Sequence, residues 1–135
     1  MTAQKTQGSN SNLPHLGENP AIRVTMLPKD TNANGTIFGG IILSYIDLAA
    51  AVEVGKTTSQ RAVTKAIKEV VFKAPVRVGE VASFYTSTKH IGNTSITVSV
   101  NVDVWRDNKE IPVTSAEVTY VCIDDNCRPV AVKRR

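Results

Sequence analysis

The stretch from Ile41 to Val54 places the tightest limit on what this chain can fold into. Eleven of its fourteen residues are apolar or alanine, and the exceptions are Ser44, Asp47 and Glu53. A helix that is apolar on nearly every side has to be buried on nearly every side. The pattern predicts a helix from about Phe38 to about Val54, with Gly55 as its stop signal. Such a helix runs roughly 25 Å, enough to cross a sheet. A sheet covers one side of it, and the apolar surface left over asks for a second subunit.

The rest of the chain supplies the sheet. The segment from Ala21 to Leu27 reads as a strand ended by Pro28. Lys29 to Thr36 is rich in Asp, Asn and Gly, so it reads as a loop, with Thr36 placed to cap the helix. Strands are expected over Arg61 to Phe72, Glu80 to Ile91, Thr94 to Trp105 and Ile111 to Ile123, with a short last piece from Pro129 to Val132. The third of these is the clearest. Ile96, Val98, Val100, Val102 and Val104 alternate with Thr97, Ser99, Asn101 and Asp103, giving one buried and one wet face. Gly92-Asn93 and Asp107-Asn108 mark tight turns, which imply antiparallel pairing. The fold class is therefore α+β, one long helix against an antiparallel sheet. Residues 1–19 are rich in Ser, Asn, Gln, Gly and Pro and read as a disordered arm, leaving 20–135 as one domain.

Composition narrows the partners. The 135 residues carry a net charge of +4. A nucleic-acid binder concentrates its basic residues and interleaves them with aromatics, whereas the seven aromatics here do not alternate with Lys and Arg. Part of the excess is Lys133-Arg134-Arg135, which reads as a solvated tail. A basic surface still suits a small polyanion such as a nucleotide phosphate. Cys122 and Cys127 lack zinc spacing, and the histidines are only His15 and His90, so no metal site is expected. The opening MTAQKTQGSNSN is polar throughout and no apolar run reaches membrane-spanning length. The expectation is a cytoplasmic protein with thiols reduced and no membrane partner.

Three features carry candidate chemistry. Asp47 sits in the middle of the apolar helix, where an acid needs a reason. Helical spacing puts it on one stripe with Gly40, Ser44 and Ala51, all small enough to let a ligand approach the carboxylate. The plainer reading is a structural ion pair across an interface. Phe38-Gly39-Gly40 opens the helix, where unpaired N–H groups carry partial positive charge. Without side chains to shield them, those donors suit a carbonyl oxygen turning negative. The plainer reading is tight chain entry. Gly92-Asn93-Thr94-Ser95 presents backbone N–H groups fit for phosphate, or is simply a hairpin turn.

With Asp30-Thr31-Asn32-Ala33-Asn34-Gly35-Thr36-Ile37-Phe38-Gly39-Gly40 followed by Asp47, the chain resembles the small bacterial acyl-CoA hydrolases of the hotdog superfamily. The segments from Val71 to Glu80 and from Gly92 to Ile96 match as well. The resemblance implies an antiparallel sheet wrapped around a central helix, and an acyl-CoA thioesterase releasing free coenzyme A and a carboxylic acid. It implies a homodimer as minimal unit, commonly a hexamer built as a trimer of dimers, with sites at the dimer interface. By position, Asp47 stands for the catalytic acid, as general base or nucleophile, and Asn32 for the loop residue that assists it. Gly39 and Gly40 stand for the backbone donors, and Gly92, Asn93, Thr94 and Ser95 for part of the coenzyme A seat. Phe38, where some relatives carry His, and Thr64 are further pocket candidates. Ala50 replaces a frequent Gly. No cofactor is implied, since coenzyme A is part of substrate and product. Two other activities fit the same fold: a noncatalytic acyl-CoA sensor, and an enoyl-CoA hydratase, which needs a His beside the acid and has only His90.

Overall fold

The computed structural model describes residues 18–135, so the arm expected over 1–19 lies, apart from its last two residues, outside the described residues. Five strands form one sheet: β1 (Ile22–Thr25), β2 (Ala62–Phe72), β3 (Val81–Ile91), β4 (Ser95–Arg106) and β5 (Lys109–Cys122). They stand in the order β1-β3-β4-β5-β2, and every neighbouring pair is antiparallel. The helix α1 (Gly39–Thr57) lies across the sheet.

Alternation in β4 does what its pattern requires. Ile96, Val98, Val100, Val102 and Val104 are all buried against Ile42, Ile46, Ala49 and Ala50 of α1. Arg106 pairs with Lys109, so Asp107 and Asn108 close β4 onto β5 as a two-residue loop. Both have positive φ, 55° and 62°. That is the turn whose twist suits a hairpin, and Asp and Asn tolerate it better than most residues.

The ends of α1 differ from the sequence expectation. Gly55 does not stop the helix, which runs on to Thr57. The last turn is held from outside: the main chain of Arg135 donates to the Thr57 carbonyl at 2.8 Å, and its Nε donates to that of Gly55 at 2.8 Å. Thr36 is not the cap. Its hydroxyl bonds to the Asn32 side chain at 3.1 Å, and the N-cap is Phe38, with no side-chain capping bond. The last expected strand is reduced to a single bridge between Ile123 and Pro129.

Edge strand β2 is irregular. Its register with β5 shifts between Thr64 and Ala66 and again between Lys68 and Val71, and Glu69 has φ of 55°. Along it, Val63, Ile67, Val71 and Phe72 are exposed, as are Leu48 and Val52 of α1.

Candidate active site

Asp47 stands half-buried on the flank of α1 that faces β2. The sheet register decides what meets it. Ile96, Tyr120 and Thr64 form one row across β4, β5 and β2. The Thr64 hydroxyl donates to Asp47 Oδ1 at 2.7 Å, and the Tyr120 hydroxyl lies 2.7 Å from the same oxygen. Tyr120 is also 2.7 Å from the main-chain carbonyl of Asp47. Among the described residues no Lys, Arg or His pairs with Asp47. The acid is thus held by neutral hydroxyls, not by the ion pair that would have made it structural. Its Oδ1 is occupied and its Oδ2 has no hydrogen-bond partner among the described residues.

Sequence reasoning missed Tyr120. The one signal was a hydroxyl-bearing aromatic in step with the buried Ala116 and Val118 of β5. Its phenol is pushed up to about 12, first by burial and further by the Asp47 carboxylate, while a bond with Thr64 works the other way. It is therefore a neutral donor throughout the ordinary pH range.

The helix N-terminus forms a separate part of the surface. A cleft of about 320 Å³ is lined there by Ile37, Gly39, Phe72, Pro75, Val76 and Thr114. A Cβ on Gly39 would sit 3.3 Å from the Phe72 ring, and one on Gly40 would sit 2.6 Å from the Phe38 ring. The two glycines let the exposed rings of Phe72 and Phe38 lie close against the start of the helix. Gly40 precedes Asp47 by seven residues, about 10 Å along the axis. Within one protomer the donors and the acid are too far apart to share one carbonyl group.

Asn32 is spent within its own loop. Its Oδ1 accepts from the main-chain N–H of Asn34 at 2.8 Å and of Thr36 at 3.2 Å. None of its hydrogen bonds reaches Asp47. The Gly92–Ser95 turn closes through Gly92 N–H to the Ser95 carbonyl at 2.8 Å. Ser95 pairs with Val121, which pairs with Val63, one row from Tyr120 and Thr64. The register therefore brings that turn to the Asp47 end of the sheet. His90, the base a hydratase would need, is exposed at the end of β3. Cys122 is buried, Cys127 is exposed, and both are free thiols.

A five-stranded antiparallel sheet packed on one long central helix is the architecture of a hotdog-fold domain. Residues 34–112 match the family model described as the thioesterase superfamily. The chain belongs to that superfamily. It is 37% identical to an uncharacterised acyl-CoA thioester hydrolase of Zymomonas mobilis, over 98% of this chain and 90% of that one. It is 34% identical to the acyl-CoA thioester hydrolase YciA of Escherichia coli, over 82% of this chain and 88% of that one. Among solved structures it is similar to a hexameric hotdog fold thioesterase of Campylobacter jejuni, with 40% identity and a TM-score of 0.79, over 85% and 90% of the two chains.

Proposed function

We propose that this protein hydrolyses acyl-CoA thioesters to coenzyme A and a carboxylic acid, with Asp47 as the catalytic residue. The observation that carries the reading is the carboxylate held at Oδ1 by Thr64 and Tyr120 with Oδ2 left open. Oδ2 either takes a proton from an attacking water or attacks the thioester carbon itself. The carbonyl oxygen gains negative charge in either route, and the unshielded N–H groups of Gly39 and Gly40 are suited to receive it. The leaving thiolate of coenzyme A is a stable anion with a basicity near that of free cysteine, about 8.5, so no strong general acid is required. Coenzyme A enters and leaves as part of substrate and product, and the reaction uses no cofactor.

The 10 Å between Gly40 and Asp47, estimated from the helix rise, supports a site shared between subunits. A second copy docked on Leu48, Val52 and β2 would bring its own Asn32, Gly39 and Gly40 to this Asp47. The relatives described as hexameric make a trimer of such dimers the fitting assembly. The working unit is the domain over 20–135, placed in the cytoplasm, where acyl-CoA is found. No helix among the described residues is long and apolar enough to cross a membrane.

The test is Asp47→Ala assayed by thiol release from acyl-CoA. The expected result is a folded oligomer whose turnover is reduced at least ~100-fold, the range of a lost general base. Retained turnover in a folded variant removes Asp47 from the role. Enoyl-CoA hydration measured on the same wild-type protein is expected at background. In a single turnover in ¹⁸O-labelled water, an unlabelled first product identifies attack by Asp47 with the anhydride then opened at the Asp47 carbonyl carbon, because direct water attack always labels the product.

A further inference from the structure

The cleft beside Gly39 contains a polar group that the chemistry of Asp47 does not use. Ile37, Ile42, Phe72, Pro75 and Val76 make its walls apolar, and the exposed Lys73 lines it as well. Thr114, at 1% exposure, is the most buried residue of the lining. Its hydroxyl is shut off from solvent and has no hydrogen-bond partner among the described residues. A buried hydroxyl left unpaired lowers stability, and the large majority of such groups in folded proteins find a partner.

Strand register explains why none is found within the chain. Thr114 stands between Val102 of β4 and Phe72 of β2, on the side of the sheet that turns Val102 toward α1. The α1 residues at the same cleft are Gly39 and Ile42, which offer no side-chain acceptor. Tyr120 lies six residues further along β5, about 20 Å away by the strand rise. Thr114 therefore takes no part in holding the Asp47 of its own protomer.

The walls are fixed before any ligand arrives. Ile37 N–H donates to the Val76 carbonyl at 2.8 Å, and the N–H groups of Lys73 and Ala74 share the Val113 carbonyl at 2.8 and 3.3 Å. Arg106 Nη2 holds the Pro75 carbonyl at 2.9 Å. A cleft set by such bonds takes up a fitting group at little ordering cost.

Chemistry and size identify that group. Gly39, one of the donors suited to the thioester carbonyl, is part of the wall. Two chains leave that carbonyl: the acyl group and the pantetheine arm. The arm carries two amides and needs several polar partners, which apolar walls with one buried hydroxyl do not supply. A hydrocarbon chain with a single oxygen matches them. The cleft of about 320 Å³ holds roughly ten groups of the ~30 Å³ size of a water molecule, the scale of a short acyl chain.

We infer that this cleft receives the acyl group, and that the Thr114 hydroxyl selects short acyl chains bearing a hydroxyl or ketone oxygen over saturated chains of the same length. The inference rests on the thioesterase reading and names its substrate class. A threonine hydroxyl both donates and accepts, so either substituent pairs with it. A saturated chain leaves it unpaired, and a site built to hydrogen-bond its substrate discriminates against analogues that cannot.

The test compares 3-hydroxybutyryl-CoA with butyryl-CoA. Binding is read by calorimetry in the Asp47→Ala oligomer, where neither thioester is consumed, with Thr114 in place and with Thr114→Val added. Thr114 is expected to favour the hydroxyacyl thioester about fivefold or more, the weight of one net hydrogen bond, and valine to bring the ratio near one. Thr114→Ser, which keeps the hydroxyl, is expected to keep the preference. Valine alone is expected to raise Tm, because it removes the unpaired group. A preference below about twofold with Thr114 in place, one that survives valine, or one lost equally with serine overturns the assignment. A fall in Tm with valine does so too, by revealing a partner within the protein. Calorimetry reads the preference whether or not the protein hydrolyses anything, so failure of the thioesterase reading is seen separately, as absent thiol release from both thioesters by the wild-type protein.

Discussion

Tyr120 has one proton and two acceptors at 2.7 Å, the Asp47 carboxylate and the Asp47 main-chain carbonyl. Tied to both, it fixes the acid's side chain relative to its own helix. With Thr64 on the same Oδ1, the remaining oxygen is the only one free to meet a water or a thioester. Tyr120→Phe is expected to lower kcat about tenfold or more, the weight of one hydrogen bond to a charged group, while KM stays near wild type. Steady-state kinetics check it. Combined with Thr64→Val, the losses should not add, because both donors serve one atom. The sign for pH follows from the raised phenol: an acid with a pKa of about 12 stays protonated below that value. Tyr120 should therefore impose no alkaline decline in rate up to about pH 10. Asp47 itself was legible in the sequence, because an acid amid Ile, Leu and Ala is anomalous. Its partner was not, because Tyr120 lies 73 positions away and meets it only through strand register.

Among the elements, the segment from Val71 to Glu80 was legible as a motif without a role. The structure supplies one. Arg106, at the end of β4, grips Glu80 through Nε at 2.6 Å and Nη2 at 2.7 Å, and its Nη2 also donates to the Pro75 carbonyl at 2.9 Å. Glu80 in turn accepts from Arg77 N–H at 2.8 Å. This clamp shapes the wall of the cleft beside Gly39, which includes Pro75 and Val76. The Arg106 guanidinium holds the Glu80 carboxyl below the usual range, against the opposing effect of burial. A carboxylate lowered on folding stabilises the native state above its unfolded pKa of about 4.3 and loses that contribution as pH falls through the folded value. Glu80→Gln is thus expected to lower Tm at pH 7, with the gap from wild type narrowing below about pH 4. Thermal unfolding across pH checks it. Strand periodicity and turn residues made β4 and its hairpin legible. Helix ends were harder to read, because Gly55 is carried past its stop tendency by bonds from Arg135, a residue far along the chain.

For the molecule as a whole, the protomer leaves unfinished business on one side. Leu48 and Val52 of α1, and Val63, Val71 and Phe72 of β2, are exposed together with an unpaired strand edge. The sequence already pointed there, because a helix apolar nearly all round exceeds what one sheet can cover. The spacing of Gly40 and Asp47, two helical turns or about 10 Å, was legible there too, and on the proposed mechanism it calls for a second subunit. Val71→Glu, on the free edge, is expected to shift the protein toward monomer and to abolish hydrolysis while the protomer stays folded. Light scattering, circular dichroism and thiol release together check it. Stable interfaces bury about 800 Å² per partner, and a charge in the middle of one is costly.

The left-handed kink at Glu69 bears on how such association ends. A straight, unpaired edge is an open invitation to endless stacking of strands into fibrils. The two register breaks in β2, with Glu69 turned out of the regular pleat, deny that edge to a generic extended peptide. A neighbour that pairs along the whole edge has to accommodate that irregularity. A feature that looks like a defect in one strand thereby weighs against growth that runs on.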